Sequence, residues 1–280
     1  MRNSLQLLSV WLLLLFLFSC GNRGSGARAY LEEAGRAYES GNYELAKLKI
    51  DSIKILFPEA FDEINAGFDL MQEIRMAENL RNISYCDSML HEHYAVLNEM
   101  LLHFDYVRDS RYQEFGEYYP KVYPHRSSLN RNGLRSGVRE NGELFIESVL
   151  SGNAIQHHQI RVTAADGSFA ETGIVTADGL NYRFSTLDRS YEIVRFSGRD
   201  ENGVAAYIHT YSDRPLTVHF IGKRTISVPL TDAAKKGISQ SFELSTLLLD
   251  IERLKFEKER SEVLIRYLES RSDTQQQNKR

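Results

Sequence analysis

Eight histidines, two cysteines and a run of tyrosines and arginines between residues 106 and 139 are the side chains best suited to chemistry in this 280-residue chain. His91 and His93 stand two apart, which on a helix sends the imidazoles to different faces and makes a poor chelate. His157 and His158 would alternate across a strand. His209 and His219 are the better metal candidates. Were Asp213-Arg214-Pro215 a three-residue hairpin loop, the two would pair across it on one face and share a zinc ion with a carboxylate. A slip of one residue would put them on opposite faces and leave surface or partly packed histidines. The sequence has no nucleophile elbow, phosphate loop, zinc-type cysteine pair or His-Glu-x-x-His helix, and no carboxylate pair with a distinctive hydrolytic constellation. No catalytic residue and no cofactor is therefore expected.

The tyrosine and arginine run is the more unusual feature. Tyr106, Tyr112, Phe115, Tyr118, Tyr119 and Tyr123 crowd its first half, and Arg126, Arg131, Arg135 and Arg139 recur in its second. Interleaved aromatic and basic groups suit an anionic polymer, a lipid headgroup or the acidic loop of a partner. They suit equally a covering strap whose tyrosines pack over a sheet edge and whose arginines satisfy local acids. Nucleic acid is not an expected partner, because 34 Lys and Arg stand against 38 Asp and Glu for a net charge of −4.

Of the two cysteines, Cys20 follows an N-terminal stretch with a cationic start at Arg2 and an apolar run from Leu5 to Phe18. At roughly 14 residues that run is shorter than the roughly 20 a spanning helix needs. It ends in Leu17-Phe18-Ser19-Cys20-Gly21, which resembles the lipobox of bacterial lipoproteins. The resemblance implies a signal peptide over 1–19, a diacylglycerol and acyl lipid on Cys20, and a flexible tether over 20–26. It implies anchorage in the outer membrane at the periplasmic face, since no acidic residue follows Cys20 closely. An uncleaved anchor is the competing reading. Signal removal would take away the sole tryptophan, Trp11, and leave Cys86 as the one thiol, read as a small buried hydrophobe on a helix.

The remaining pattern places these groups on an α+β framework. From Ala27 to Pro58, Tyr30, Ala34, Tyr38, the turn Gly41-Asn42-Tyr43, Ala46, Ile50, Leu56 and Pro58 resemble one tetratricopeptide repeat. Glu33 and Ile53 depart from that pattern, and no second copy follows. The resemblance implies a helical hairpin with protein contact through Tyr38 and Tyr43. Leu90, Tyr94, Leu97, Leu101 and Phe104 alternate steps of four and three, and Leu247, Ile251, Leu254, Ile265 and Leu268 form a heptad frame interrupted by Lys258 and Ser261. The two seams predict a long C-terminal helix pairing back antiparallel as a coiled coil, with a homodimer through that helix as the alternative. Between them, the period falls to two, and Asn141-Gly142, Asp166-Gly167, Asp178-Gly179 and Asn202-Gly203 read as hairpin turns. They predict a central antiparallel β-sandwich or partly closed barrel of seven or eight strands. The expected divisions are a helical region over 27–104, a connector over 105–138, a β domain over 139–240, the C-terminal helix over 241–271 and a disordered tail over 272–280. Function is expected to be a non-enzymatic envelope scaffold holding another envelope protein. The alternative is a lipoprotein that binds a glycan or anionic polymer through the β domain and connector.

Overall fold

The computed structural model describes residues 23–123, 132–152, 154–176, 181–187 and 189–278. Cys20 and the signal segment, Arg126, Arg131, the Asp178-Gly179 turn and the last two residues lie outside these. The chain divides into a helical unit, which takes residues up to 88 and those from 256 onward, and a β unit of residues 89–255.

In the helical unit, α1 (Arg23–Glu39) and α2 (Tyr43–Leu56) form the expected hairpin. Ala34 and Ala46 are fully buried where the helices approach. Gly41 takes a φ of +75° in the turn, and Asn42 caps α2 by accepting the Leu45 N–H. The next helix, α3 (Phe61–Leu101), lays Met71 and Ile74 against Ala34, Ala37, Ala46 and Ile50. The last, α5 (Asp232–Asn278), enters this unit at Phe256. The described parts of the expected tether, 20–26, and of the expected tail, 272–280, are helical. Residues 23–26 belong to the first turn of α1, which the fully buried Ala27 ties down. Residues 272–278 continue α5, because their Ser, Asp, Thr and Gln residues include no Pro or Gly to stop a helix.

Among its described residues the β unit holds ten antiparallel strands in two open sheets, α+β as expected. The larger sheet comprises β1 (Phe104–Val107), β2 (Glu117–Pro120), β3 (Gly133–Arg139), β4 (Leu144–Gly152), β7 (Asn181–Ser185) and β8 (Ser190–Ser197), in the order β1-β2-β3-β4-β8-β7. The smaller comprises β5 (Gln159–Ala164), β6 (Phe169–Glu171), β9 (Leu216–Ile221) and β10 (Thr225–Pro229), in the order β10-β9-β5-β6. Ile146, Leu150, Val194 and Phe196 of the first meet Ile160, Val162, Val218 and Phe220 of the second in one core, to which α5 adds Ala234 and Ile238. The expected connector thus contributes β1, β2 and most of β3 to the large sheet, which begins at Phe104 rather than at 139. Helix α5 starts at Asp232 rather than near 241, with Thr231 accepting the Ala234 N–H.

Turn chemistry decided two further details. Gly142 and Gly167, each at φ +84°, join β3 to β4 and β5 to β6 as expected. Asn202-Gly203 instead opens a short helix, α4 (Val204–Thr210), because the Glu201 carboxylate accepts the Gly203 and Ala205 N–H groups. Val204, Ala205 and Ile208 are its buried face. The two long helices pair antiparallel within each unit. In the helical unit Asn82 meets Ser261 at 2.8 Å and Asp87 meets Lys258 at 2.6 Å. In the β unit Leu97, Met100 and Leu101 pack with Leu244 and Leu248.

Candidate functional site

In the helical unit a groove of about 710 Å³ opens between α3 and α5. Its apolar surface is Tyr85, Leu264 and Tyr267, which are 58%, 41% and 53% exposed, beside buried Leu268. The groove exists because the heptad seam is interrupted: Ser261 takes the Asn82 amide where an apolar side chain would have closed the helix pair. Three guanidinium groups, Arg75, Arg81 and Arg260, line it against the carboxylates of Glu78 and Glu257. Lys47 of α2 already holds both Glu78 oxygens, at 3.1 and 3.2 Å, so cations are in excess. Arg81 donates to the Gly41 carbonyl at 3.2 Å and lies over the Tyr43 ring, 4.4 Å from its centre. Tyr43 in turn stands 6.1 Å from Tyr38. The hairpin tyrosines therefore brace the arginine rim of this groove.

The connector residues part company. Tyr106 is half exposed, donates to Glu140 at 2.7 Å and leans on half-buried Tyr118, and Tyr112 is 82% exposed beneath Arg111. Tyr119 is buried and donates to Glu117. Tyr123 hydrogen-bonds Ser136 at 2.7 Å, and burial pushes its hydroxyl pKa up. Arg135 is buried in an ion pair with Glu147 at 2.5 Å, and Glu147 also accepts from Arg195. Burial would raise the Glu147 pKa, but Arg195 and Arg135 outweigh it and hold the pKa low. Tyr119, Tyr123 and Arg135 thus serve internal packing, and Tyr106 and Tyr112 remain at the surface.

The histidine pair is corrected. Residues 211–215 do not form the tight hairpin loop that would pair His209 with His219, because His209 lies on α4 and His219 on β9. His209 rests against Phe242 with Glu243 at 3.6 Å, and His219 bonds Ser227 at 2.7 Å. No cluster of three His, Cys, Asp or Glu side chains suited to a metal ion occurs among the described residues.

Sequence reasoning missed the tightest polar constellation. His157 is fully buried, with Nε2 at 2.7 Å from Ser148 Oγ and Nδ1 at 2.7 Å from Glu192. Because an ionised carboxylate only accepts, Nδ1 donates to Glu192. The same carboxylate accepts the Gln156 and His157 N–H groups, at 2.7 and 2.9 Å, which holds Gln156 at a left-handed φ of +55°. Burial raises the Glu192 pKa, yet these three donors win and lower it to about 2. The order serine, histidine, carboxylate matches a hydrolytic triad, but Ser148 is fully buried on β4, where its hydroxyl also lies 3.3 Å from the Val194 carbonyl. This arrangement locks the segment before β5 onto the large sheet. A separation of 9 and 35 residues along the chain left no local motif to find.

No protein-family model, curated protein or solved structure matches the chain.

Proposed function

We propose that this chain is a lipid-anchored scaffold of the bacterial cell envelope that binds another envelope protein and carries out no reaction of its own. An acyl lipid on Cys20 would hold it at the periplasmic face of the outer membrane. The observation that carries the protein-binding reading is an apolar row on α2. Leu45, Leu48 and Ile55 are 40%, 62% and 77% exposed and fall on one face, opposite buried Ala46, Ile50 and Ile53. Large apolar groups left in water along one helix face favour burial against a second surface.

A photo-crosslinking residue placed at Leu48 or Ile55 in cells is expected to give one discrete adduct with an envelope protein, and the same residue at exposed Lys54, which lies about 100° or more around α2 from both, to give none. Equal labelling at all three positions would sink the reading. A homodimer through α5 would use Phe256 and Val263, exposed and seven residues apart, and sedimentation velocity decides it.

One observation favours the glycan reading as an alternative. Phe184 and Tyr191 stack with ring centres 4.9 Å apart, and Tyr182, 64% exposed, stands two residues from Phe184 on the same edge strand. Calorimetric titration with envelope polysaccharides, repeated with Tyr182→Ala, tests it; heats that Tyr182→Ala leaves unchanged count against this platform.

A further inference from the structure

We propose that the groove between α3 and α5 in the helical unit receives an acidic amphipathic helix of about three turns from a partner protein. This deepens the protein-binding reading and rests on it, but it concerns a different surface from the α2 row. The lining residues run from Arg75 to Tyr85 on one wall and from Glu257 to Leu268 on the other, which at the helical rise is about 16 Å. Two antiparallel helices with an open seam between them accept a third helix as the natural filler, its side-chain ridges seated in their groove. Tyr85, Leu264 and Tyr267 supply the apolar contact.

Charge selects the occupant. Among the described residues Arg75 and Arg81 have no carboxylate partner, Arg81 giving only one N–H to the Gly41 carbonyl while it lies over the Tyr43 ring, and Arg260 has only a loose contact of 3.8 Å with Glu257. Carboxylates flanking the apolar stripe of an incoming helix would therefore meet guanidinium groups able to take them in bidentate geometry. A basic helix would face the same three cations.

The test is fluorescence anisotropy on the full chain in detergent, with two labelled synthetic helices that share a leucine stripe and differ only in flanking Glu or Lys. The Glu helix is expected to bind at least about tenfold more tightly than the Lys helix, a gap that shrinks as salt is raised. The double variant Arg75→Glu, Arg81→Glu is expected to reverse that preference, and Tyr267→Ala to weaken the Glu helix about tenfold. Circular dichroism of each variant guards against simple unfolding. Equal affinity for both helices, or a preference unchanged by the double variant, overturns the proposal. So does arginine-dependent binding to phosphatidylglycerol vesicles with no binding of the Glu helix, which would assign the groove to lipid. Crosslinking at Leu48 and Ile55 does not depend on this outcome, so failure here leaves the scaffold reading to its own test.

Discussion

Glu192 shows how much a single buried carboxylate can control. Its pKa of about 2 in the folded chain lies below the roughly 4.3 of an unfolded glutamate, so the stabilisation is present above about pH 4.3 and is lost as pH falls toward 2. Urea denaturation between pH 2 and 6 is expected to show that loss in the native chain and a much flatter profile in Glu192→Gln, which should also be less stable at neutral pH. An equally steep profile in the variant would show that other groups carry the dependence. Cys86 gives a second residue-scale expectation. Desolvation raises its pKa, with Glu257 and Asp87 adding to the effect, and the side chain is 1% exposed. Disulfide-exchange reagents should therefore label it slowly in the folded chain and rapidly in denaturant. Rapid labelling without denaturant would contradict the burial.

The elements are held by close fits that the residue types only partly announce. Gly237 of α5 faces the Tyr123 ring so closely that a Cβ would stand 1.9 Å from it. Gly237→Ala is expected to cost about 1–3 kcal/mol by displacing that ring, and Tyr123→Ala in the same chain should recover part of the loss. Thermal melts of the two single variants and the double variant measure the coupling, and strictly additive losses would refute the contact. The helices were legible because their signals are local: the Gly41-Asn42 turn, small Ala34 and Ala46, and the seams through Leu97 and Leu254. The strands within the connector were not. Phe104–Val107 and Glu117–Pro120 lack alternation, because their ladder positions are set by pairing with each other and with β3 rather than by their own apolar period. Asn202-Gly203 misled for a related reason, since the Glu201 cap turned a hairpin dipeptide into a helix start.

At the scale of the whole molecule, the proposed membrane anchorage rests on Cys20. Cys20→Ala is expected to move the chain from the detergent phase to the aqueous phase in a partition assay and to abolish labelling by a clickable fatty acid. Continued partition into detergent would mean that something other than the acyl chain holds it. The candidate site divides the same way as the fold. The sequence singled out Tyr38 and Tyr43 for protein contact; in the structure Tyr43 packs under the Arg81 guanidinium and Tyr38 stands beside Tyr43. It also marked Lys258 and Ser261 as breaks in the seam, and the groove lies at that break. The excess of arginine there arises from Arg75 and Arg81 on one helix and Arg260 on another, 179 or more residues along the chain from either, so no window of sequence contains it. By itself, then, the sequence determined the helical hairpin, the two long seams and the α+β class, since each follows from periodicity and turn chemistry among near neighbours. Tertiary structure alone decided the two-sheet order, the Ser148, His157 and Glu192 lock and the separation of His209 from His219. Each of these depends on which distant backbone segments pair, and that is settled by burial of the shared core rather than by any local preference.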